Sequence, residues 1–183
     1  MRLFIGVPLP PIAVGEVTDV LRHLKAREWP VRWVGNEGIH VTIKFFGEVT
    51  TDRVDSIAEM LDFATEGMEP IAMTPGSAGV FPGREHPRVI RLDMDAGPDL
   101  ELMQDRIERA AEQLGFAPEG RPFHPHITLG RVREGHRLPG GWEHVLGQVR
   151  PGTPFLADRV VLYESELKPG GPAYVARGEV VLR

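Results

Sequence analysis

The tetrapeptide HVTI at positions 40–43 decides how the chain is organised, because it occurs twice. A second copy, HITL at positions 126–129, follows 86 residues later with the same order of histidine, apolar residue, threonine and apolar residue. With 7 histidines and 42% hydrophobic residues, a chain of this composition is expected to hold only about 0.05 such tetrapeptides by accident. The repeat therefore predicts two related halves.

Each copy has the alternation of a β-strand. Residues i and i+2 of a strand project from one face, and residues i+1 and i+3 from the other. The apolar residues of each copy are therefore predicted to face a core. The polar pairs, His40 with Thr42 and His126 with Thr128, are predicted to converge on one cleft, with a pseudo-two-fold axis passing through it.

Two histidines and two threonines in one cleft favour acid–base chemistry on a phosphate. An unperturbed imidazole has a pKa of about 6.5, so one ring can accept a proton from water while the other donates one to a leaving oxygen. Threonine hydroxyls can donate hydrogen bonds to non-bridging phosphate oxygens. These residue types fit a metal-free hydrolysis of a phosphodiester in which the attacking and leaving oxygens are in line.

The rest of the chain predicts an α+β fold with mostly antiparallel sheet. Apolar residues at helical spacing predict helices over residues 11–27, 51–65 and 98–114. Residues 134–154 are rich in Gly and Pro, which predicts a loop with at most one strand. We expect one bilobal domain over residues 1–183, with two intertwined, pseudo-symmetric lobes, flanking helices and a central cleft. Runs of Val, Ile, Leu and Phe predict strands at 2–8, 31–34, 39–46, 88–94, 126–132, 159–167 and 174–182.

Composition excludes several classes of protein. The 183 residues contain no cysteine, so disulfides, thiol nucleophiles and thiolate zinc sites are impossible. The net charge of −5 argues against a protein that coats nucleic acid, although a small anionic substrate in a locally positive site is allowed. No apolar run reaches membrane-spanning length and no export signal is evident, so we expect a cytoplasmic protein.

Two longer stretches around the repeat resemble the signature motifs of the two-histidine phosphoesterases, in particular the RNA 2′,3′-cyclic phosphodiesterases that are also called 2′–5′ RNA ligases. These stretches are GIHVTIKFFGEV (38–49) and RPFHPHITLGRV (121–132). The resemblance covers nearly the whole chain, and it includes the following segments: MRLFIGVPLP at the start, VRWVGNEGIH, VFPGREHPRVI, LGFAPEGRPFHPH and LYESELKPGGPAY.

The resemblance implies hydrolysis of an RNA 2′,3′-cyclic phosphate to a 2′-phosphate without metal or cofactor, with reverse 2′–5′ ligation as a further activity. It implies that His40 is the general acid for the 3′ oxygen and His126 the general base for water, although the pseudo-symmetry makes these roles exchangeable. It also implies that Thr42 and Thr128 hold the phosphate. The expected partners are RNA ends or nucleotides with a 2′,3′-cyclic phosphate, bound by a monomer.

The repeat diverges five residues after each histidine, at Phe45 and Arg131. Regular alternation turns both side chains away from the cleft, whereas a β-bulge could return them to it. The resemblance implies that Phe45 stacks on the terminal base and that Arg131 approaches the phosphate or the base. Core packing is the competing interpretation for Phe45. For Arg131, an anionic substrate in an acidic protein favours the functional role.

Other interpretations remain open at this point. The chain could be a related phosphoesterase for another cyclic or 2′-linked nucleotide, or an RNA-end binding module without turnover. His124 and His126 form an H-x-H pair that can bind metal, but no third ligand is evident from the spacing. Lys44 could attract phosphate or lie solvated at the rim of the cleft.

Overall fold

The two copies of the repeat form neighbouring strands at the centre of one sheet. In the computed structural model, β3 (His40–Glu48) and β6 (His126–Val132) are antiparallel, and their backbones pair at one point, Val41 with Ile127. Both of these side chains are fully buried in the core. The predicted division of each copy into core-facing and cleft-facing residues is therefore confirmed for the apolar positions.

The structure describes residues 1–169 and 171–183. Within them the chain forms nine strands and four α-helices, and none of these helices is long and apolar enough to cross a membrane. Besides β3 and β6, the strands are β1 (Arg2–Pro8), β2 (Val31–Trp33), β4 (Ile71–Phe81), β5 (Val89–Asp95), β7 (Phe155–Ala157), β8 (Arg159–Lys168) and β9 (Gly171–Val181); the helices are α1 (Pro11–Lys25), α2 (Val54–Ala64), α3 (Gly97–Gln113) and α4 (Trp142–Gly147).

The order of strands in the sheet is β7-β4-β5-β6-β3-β1-β8-β9, with β2 paired to β6. Every pairing is antiparallel, which confirms the predicted α+β class. Strand β4, from the first half of the chain, lies on the β6 side of the sheet, whereas β8 and β9 return from the end of the chain to β1. Each side of the sheet is thus built from both halves of the sequence.

The repeat extends to whole elements. Helices α1 and α3 begin at Pro11 and Gly97, and strands β3 and β6 begin at His40 and His126, so both pairs are 86 residues apart. In both halves the strand before the helix pairs with the motif strand, as β1 does with β3 and β5 does with β6. The predicted relation between the two halves is therefore present in the fold as well as in the motifs.

Three parts of the fold differ from the sequence prediction. Strand β7 was not predicted, because it has only three residues. Strand β4 was not predicted either, because Pro75, Gly76 and Gly79 interrupt its apolar pattern. The prediction that residues 134–154 form a loop with at most one strand is wrong, since α4 lies there. This helix has only six residues and buries only Trp142 and Leu146, too few to produce a recognisable period.

Gly130 allows β2 to lie against β6. A Cβ atom at this position would be 2.6 Å from Val31 Cγ1 and 2.9 Å from Trp33 Cε3, which is closer than van der Waals contact. We expect Gly130→Ala to lower the free energy of unfolding by about 1–3 kcal/mol, because overpacking forces neighbouring side chains to move. Urea denaturation measures the change. The control is Gly35→Ala, where no atom lies within 4 Å of the added Cβ and the backbone is extended; equal stabilities of the two variants would contradict the prediction.

Candidate active site

Both motif strands contain a β-bulge at the same place. In β3 the register with β1 slips after Thr42, so Ile43 is the extra residue. In β6 the register with β5 slips after Thr128, so Leu129 is the extra residue. A bulge of this kind reverses the alternation of side chains beyond it. The residues that follow each bulge therefore project from the opposite face to the one that a regular strand would give them.

The bulges return the fifth residue after each histidine to the cleft face. Phe45 is 65% exposed, which rules out core packing as the explanation for this side chain, and Arg131 is also exposed. Lys44 turns the other way and is buried, where its Nζ donates hydrogen bonds to Glu108 Oε2 at 2.8 Å and to the Ala117 carbonyl at 3.0 Å. Lys44 is therefore neither in the cleft nor solvated at its rim.

His40 lies in an aromatic environment. Its ring stacks on Phe4, with centroids 4.8 Å apart, and meets the Tyr174 ring edge-on at 5.4 Å. Tyr163 lies behind, with its centroid 6.1 Å from that of His40. Gly6 opposite Thr42 makes room for this arrangement, since a Cβ there would be only 3.3 Å from both the His40 and the Phe4 rings.

His126 has a polar anchor on one ring nitrogen. Its Nδ1–H donates a hydrogen bond of 2.7 Å to the carbonyl of His124. This bond fixes the tautomer of the neutral ring, so that Nε2 carries the free lone pair. The Phe81 ring packs edge-on against His126 at 4.9 Å. The imidazole is thus oriented with an unprotonated nitrogen available to accept a proton.

Burial lowers the pKa of both histidines, and nearby positive charge lowers each pKa further. Burial in the aromatic environment is the larger cause for His40, and the positive charge that would form on His126 adds to it, which together bring the pKa of His40 to about 4. Burial is also the main cause of the lowered pKa of His126, which Arg91 and Arg131 lower further, although the hydrogen bond to His124 acts in the opposite direction. Both rings are therefore neutral in the free protein at neutral pH.

A charged network lies beside His126 and has no counterpart beside His40 among the described residues. On β5, Arg91 is opposite Thr128 and Asp93 is opposite His126. Asp93 accepts hydrogen bonds from Arg91 and from His124 Nε2, the latter at 3.0 Å. The guanidinium of Arg91 also lies over the Phe81 ring, 4.2 Å from its centroid. The second half of the site is thus charged where the first half is aromatic.

The geometry brings most of the predicted residues together. His40, Thr42, His126 and Thr128 share the face opposite the paired Val41 and Ile127. Arg131 is exposed on β6, beyond the bulge, and its charge is among the causes that lower the pKa of His126. Phe45 lies further out, with its ring centroid 5.8 Å from that of Phe4.

Sequence reasoning missed the residues that surround the two histidines. Phe4, Phe81 and Tyr174 lie on neighbouring strands, and only strand pairing brings them to the motifs. One signal was present, since the segments that contain these residues were among those that carried the family resemblance. For a metal, residues 1–169 and 171–183 contain no group of three or more His, Asp or Glu side chains placed to hold an ion, and the Nδ1 of His126 is already bonded.

A two-lobed fold with paired His-x-Thr strands across one cleft defines the class of two-histidine phosphoesterases. A sequence profile described as LigT like Phosphoesterase matches the chain twice, at residues 7–91 and 92–174. The two matches meet near the middle of the chain, in agreement with the internal repeat. The chain belongs to this LigT-like phosphoesterase family.

Relatives and solved structures agree with this assignment. The RNA 2′,3′-cyclic phosphodiesterase of Thermotoga maritima is 30% identical, with 95% of this chain and 91% of the relative covered. The protein of the same name from Methanothermobacter thermautotrophicus is 31% identical, with 95% of each chain covered. TT0787 of Thermus thermophilus superposes with a TM-score of 0.83 at 25% identity, covering 100% of this chain and 98% of that one. E. coli LigT complexed with 3′-AMP gives a TM-score of 0.73 at 25% identity, covering 99% and 97%.

NMR titration of the two imidazoles tests the electrostatics of the site. In the free protein we expect His40 to titrate near pH 4 and His126 below 6.5. His126→Ala removes the neighbouring positive charge, so the pKa of His40 should rise but stay below 6.5, because burial remains. The control His144→Ala, at an exposed histidine, should leave the pKa of His40 unchanged. An ordinary pKa for His40 in the unsubstituted protein would contradict this account.

Proposed function

We propose that the chain hydrolyses 2′,3′-cyclic phosphates at RNA ends to 2′-phosphates, by histidine acid–base catalysis without a metal. The observation that carries the proposal is the convergence of two His-x-Thr strands on one face around the Val41–Ile127 pairing. The names of the curated relatives supply the substrate class. The same site can use a 5′-hydroxyl in place of water, which would give 2′–5′ ligation by the same displacement.

His126 is suited to activate the water. Its Nδ1–H is held by the His124 carbonyl, so Nε2 takes the proton while the water oxygen forms the new bond to phosphorus. The lowered pKa of His126 keeps Nε2 unprotonated at neutral pH. The imidazolium that then forms keeps its hydrogen bond from Nδ1 to the His124 carbonyl, the contact that raises the pKa of His126 and so favours the charged ring.

His40 is suited to protonate the leaving oxygen. As the bond between phosphorus and the 3′ oxygen breaks, the imidazolium of His40 donates its proton to that oxygen, and the phosphate remains on the 2′ oxygen. With a pKa of about 4 in the free protein, His40 acquires this proton only when a negative phosphate enters the cleft and favours the charged ring. Substrate binding and protonation of the acid are therefore linked.

The threonines and the arginine complete the phosphate site. Thr42 and Thr128 lie on the same face as the histidines and can donate hydroxyl hydrogen bonds to the non-bridging oxygens. The exposed side chain of Arg131, which the bulge in β6 returns to the cleft face, neutralises the charge on those oxygens. Phe45 presents an exposed ring at the rim, and stacking on it tolerates any base, because every base has a π-face.

Substitution of the histidines tests the proposed catalysis. We expect His40→Ala and His126→Ala each to lower kcat for a 2′,3′-cyclic mononucleotide by about 100-fold or more, the usual contribution of a general acid or base. His144→Ala is the matched control and should keep full activity.

Identification of the product tests the regiochemistry and the role of metal. The protein is incubated with the four 2′,3′-cyclic nucleotides, with and without EDTA, and a 2′-phosphate product is expected in both cases. Full activity in either cleft variant would refute the mechanism, and tight binding without turnover in the unsubstituted protein would instead indicate an RNA-end binding module.

The pH dependence follows from the lowered pKa values. The active form of the free protein carries one proton on the histidine pair. Above pH 6.5 the lowered pKa values leave both rings neutral, and in the free protein His40 takes up its own proton only near pH 4. We therefore expect kcat/KM to reach its maximum below pH 6.5 and to fall on either side. The kcat profile should lie at higher pH, because the bound phosphate favours protonated imidazole. A kcat/KM that climbs steadily to pH 9 would be inconsistent with a histidine acid.

A further inference from the structure

A basic cavity lies beyond the charged half of the cleft. It has a volume of about 470 Å³ and opens at the ends of β4, β5 and β6, between residues 84–88 and residues 135–142. Within the described residues Arg84 and Arg137 form no ion pair, so their charges are available to a ligand. The lining contains one acidic residue, Glu85, and the lining residues that can contact an anion are Arg84, His86, Arg88, His136 and Arg137.

The wall of this cavity is fixed by hydrogen bonds. The guanidinium of Arg88 donates to the carbonyls of His136 at 3.1 Å, Val132 at 3.2 Å and Arg133 at 3.3 Å. These bonds tie the segment after β6 to the start of β5. His136 Nδ1 in turn donates to the Glu134 carbonyl at 2.9 Å. The basic side chains therefore surround a preorganised space instead of projecting from a mobile loop.

The cavity continues the cleft on the side of His126. Phe81, whose ring touches His126, ends β4 three residues before Arg84. Arg131 lies on β6 between His126 and the segment that closes the cavity. The six steps along β6 from His126 to its end span roughly 20 Å. This distance is too long for the terminal nucleotide but suits the nucleotides that precede it.

The local charge contrasts with that of the whole chain. Residues 84–88 and 131–138 contain five arginines and two glutamates, a formal charge of +3 in a chain whose total is −5. Arginine is suited to this task because its planar guanidinium can bind phosphate oxygens in a bidentate manner. The tryptophan of the cavity, Trp142, is only 9% exposed, so it offers little aromatic surface to a base. The chemistry of the site therefore favours backbone phosphate over nucleobase.

We infer that this cavity binds the backbone phosphates on the 5′ side of the RNA end whose cyclic phosphate lies between the histidines. The inference rests on the proposed function, which places the scissile phosphate at His40 and His126. The chain then distinguishes an RNA end from a free cyclic nucleotide by charge contacts that do not depend on base sequence. Arg131 connects the two regions, so that a single strand follows a continuous positive track.

Kinetics on substrates of increasing length test this inference. We expect kcat/KM for oligoribonucleotides with a 3′-terminal 2′,3′-cyclic phosphate to exceed that for the cyclic mononucleotide by about tenfold or more. Arg84→Gln with Arg137→Gln should remove most of this gain, as expected when charge-assisted hydrogen bonds are deleted, and should leave hydrolysis of the cyclic mononucleotide unchanged. The salt dependence of oligomer binding should also become shallower, by about 0.7 in log–log slope for each phosphate that the arginines no longer neutralise.

Three comparisons make the outcome decisive. Arg106→Gln with Arg109→Gln removes the same charge from α3, which packs on the core side of the sheet, and should retain the length effect. Arg84→Lys with Arg137→Lys keeps the charge and should retain part of it. Fluorescence anisotropy measures the binding of oligomers that end in a 2′-phosphate and cannot be hydrolysed. It gives the same comparison of lengths without turnover. Equal affinities for short and long ligands would overturn the inference, and so would equal effects of the two pairs of glutamine substitutions. If hydrolysis is absent but binding still increases with length, the proposed function alone is overturned.

Discussion

The site depends on one backbone contact, the antiparallel pairing of Val41 with Ile127. It joins β3 to β6 and is the point at which the two sides of the sheet meet. Because the pairing is antiparallel, His40 lies towards Thr128 and Thr42 lies towards His126. Each end of the cleft therefore takes its histidine from one copy of the repeat and its threonine from the other. Burial of both aliphatic side chains stabilises the register, since a slip by one residue would turn the polar pairs into the core.

The surroundings of the two histidines differ. In a fully symmetric site the two rings would be chemically equivalent. His40 is surrounded by Phe4, Tyr163 and Tyr174, which exclude water and offer no charge to stabilise an imidazolium. His126 instead donates to the carbonyl of His124, and the facing strand β5 carries the ion pair of Arg91 and Asp93. Under the proposed function, an aromatic enclosure suits a general acid that takes up its proton only when an anion is present, and a polar enclosure suits a general base that must hold the proton it removes. The surroundings therefore support the proposed roles, which the motifs alone leave exchangeable.

Sequence patterns predicted the features that depend on local order. Alternation within each tetrapeptide identified Val41 and Ile127 as core residues, and the spacing of 86 residues predicted two related halves. The positions of the bulges at Ile43 and Leu129 could not be predicted from the sequence. A bulge is a shift in the register between two paired strands, and the sequence of one strand does not show its register with a neighbour. The positions of Phe45, Arg131 and Lys44 all depend on those bulges. The residues around the histidines were missed for the same reason, since strand pairing brings them there.

The net charge of −5 argues against a protein that coats nucleic acid, and the distribution of charge explains how an acidic chain can still attract an RNA end under the proposed function. Four arginines follow one path, from Arg91 beside Thr128, through Arg131, to Arg84 and Arg137 at the cavity. The remaining surface is more acidic than the total suggests, which disfavours association away from this path. Under the proposed function, the phosphates that precede the cyclic end lie along this path, so the attraction for RNA acts where the scissile phosphate is bound. The acidic total and the affinity for an RNA end are therefore compatible, because the attraction is local.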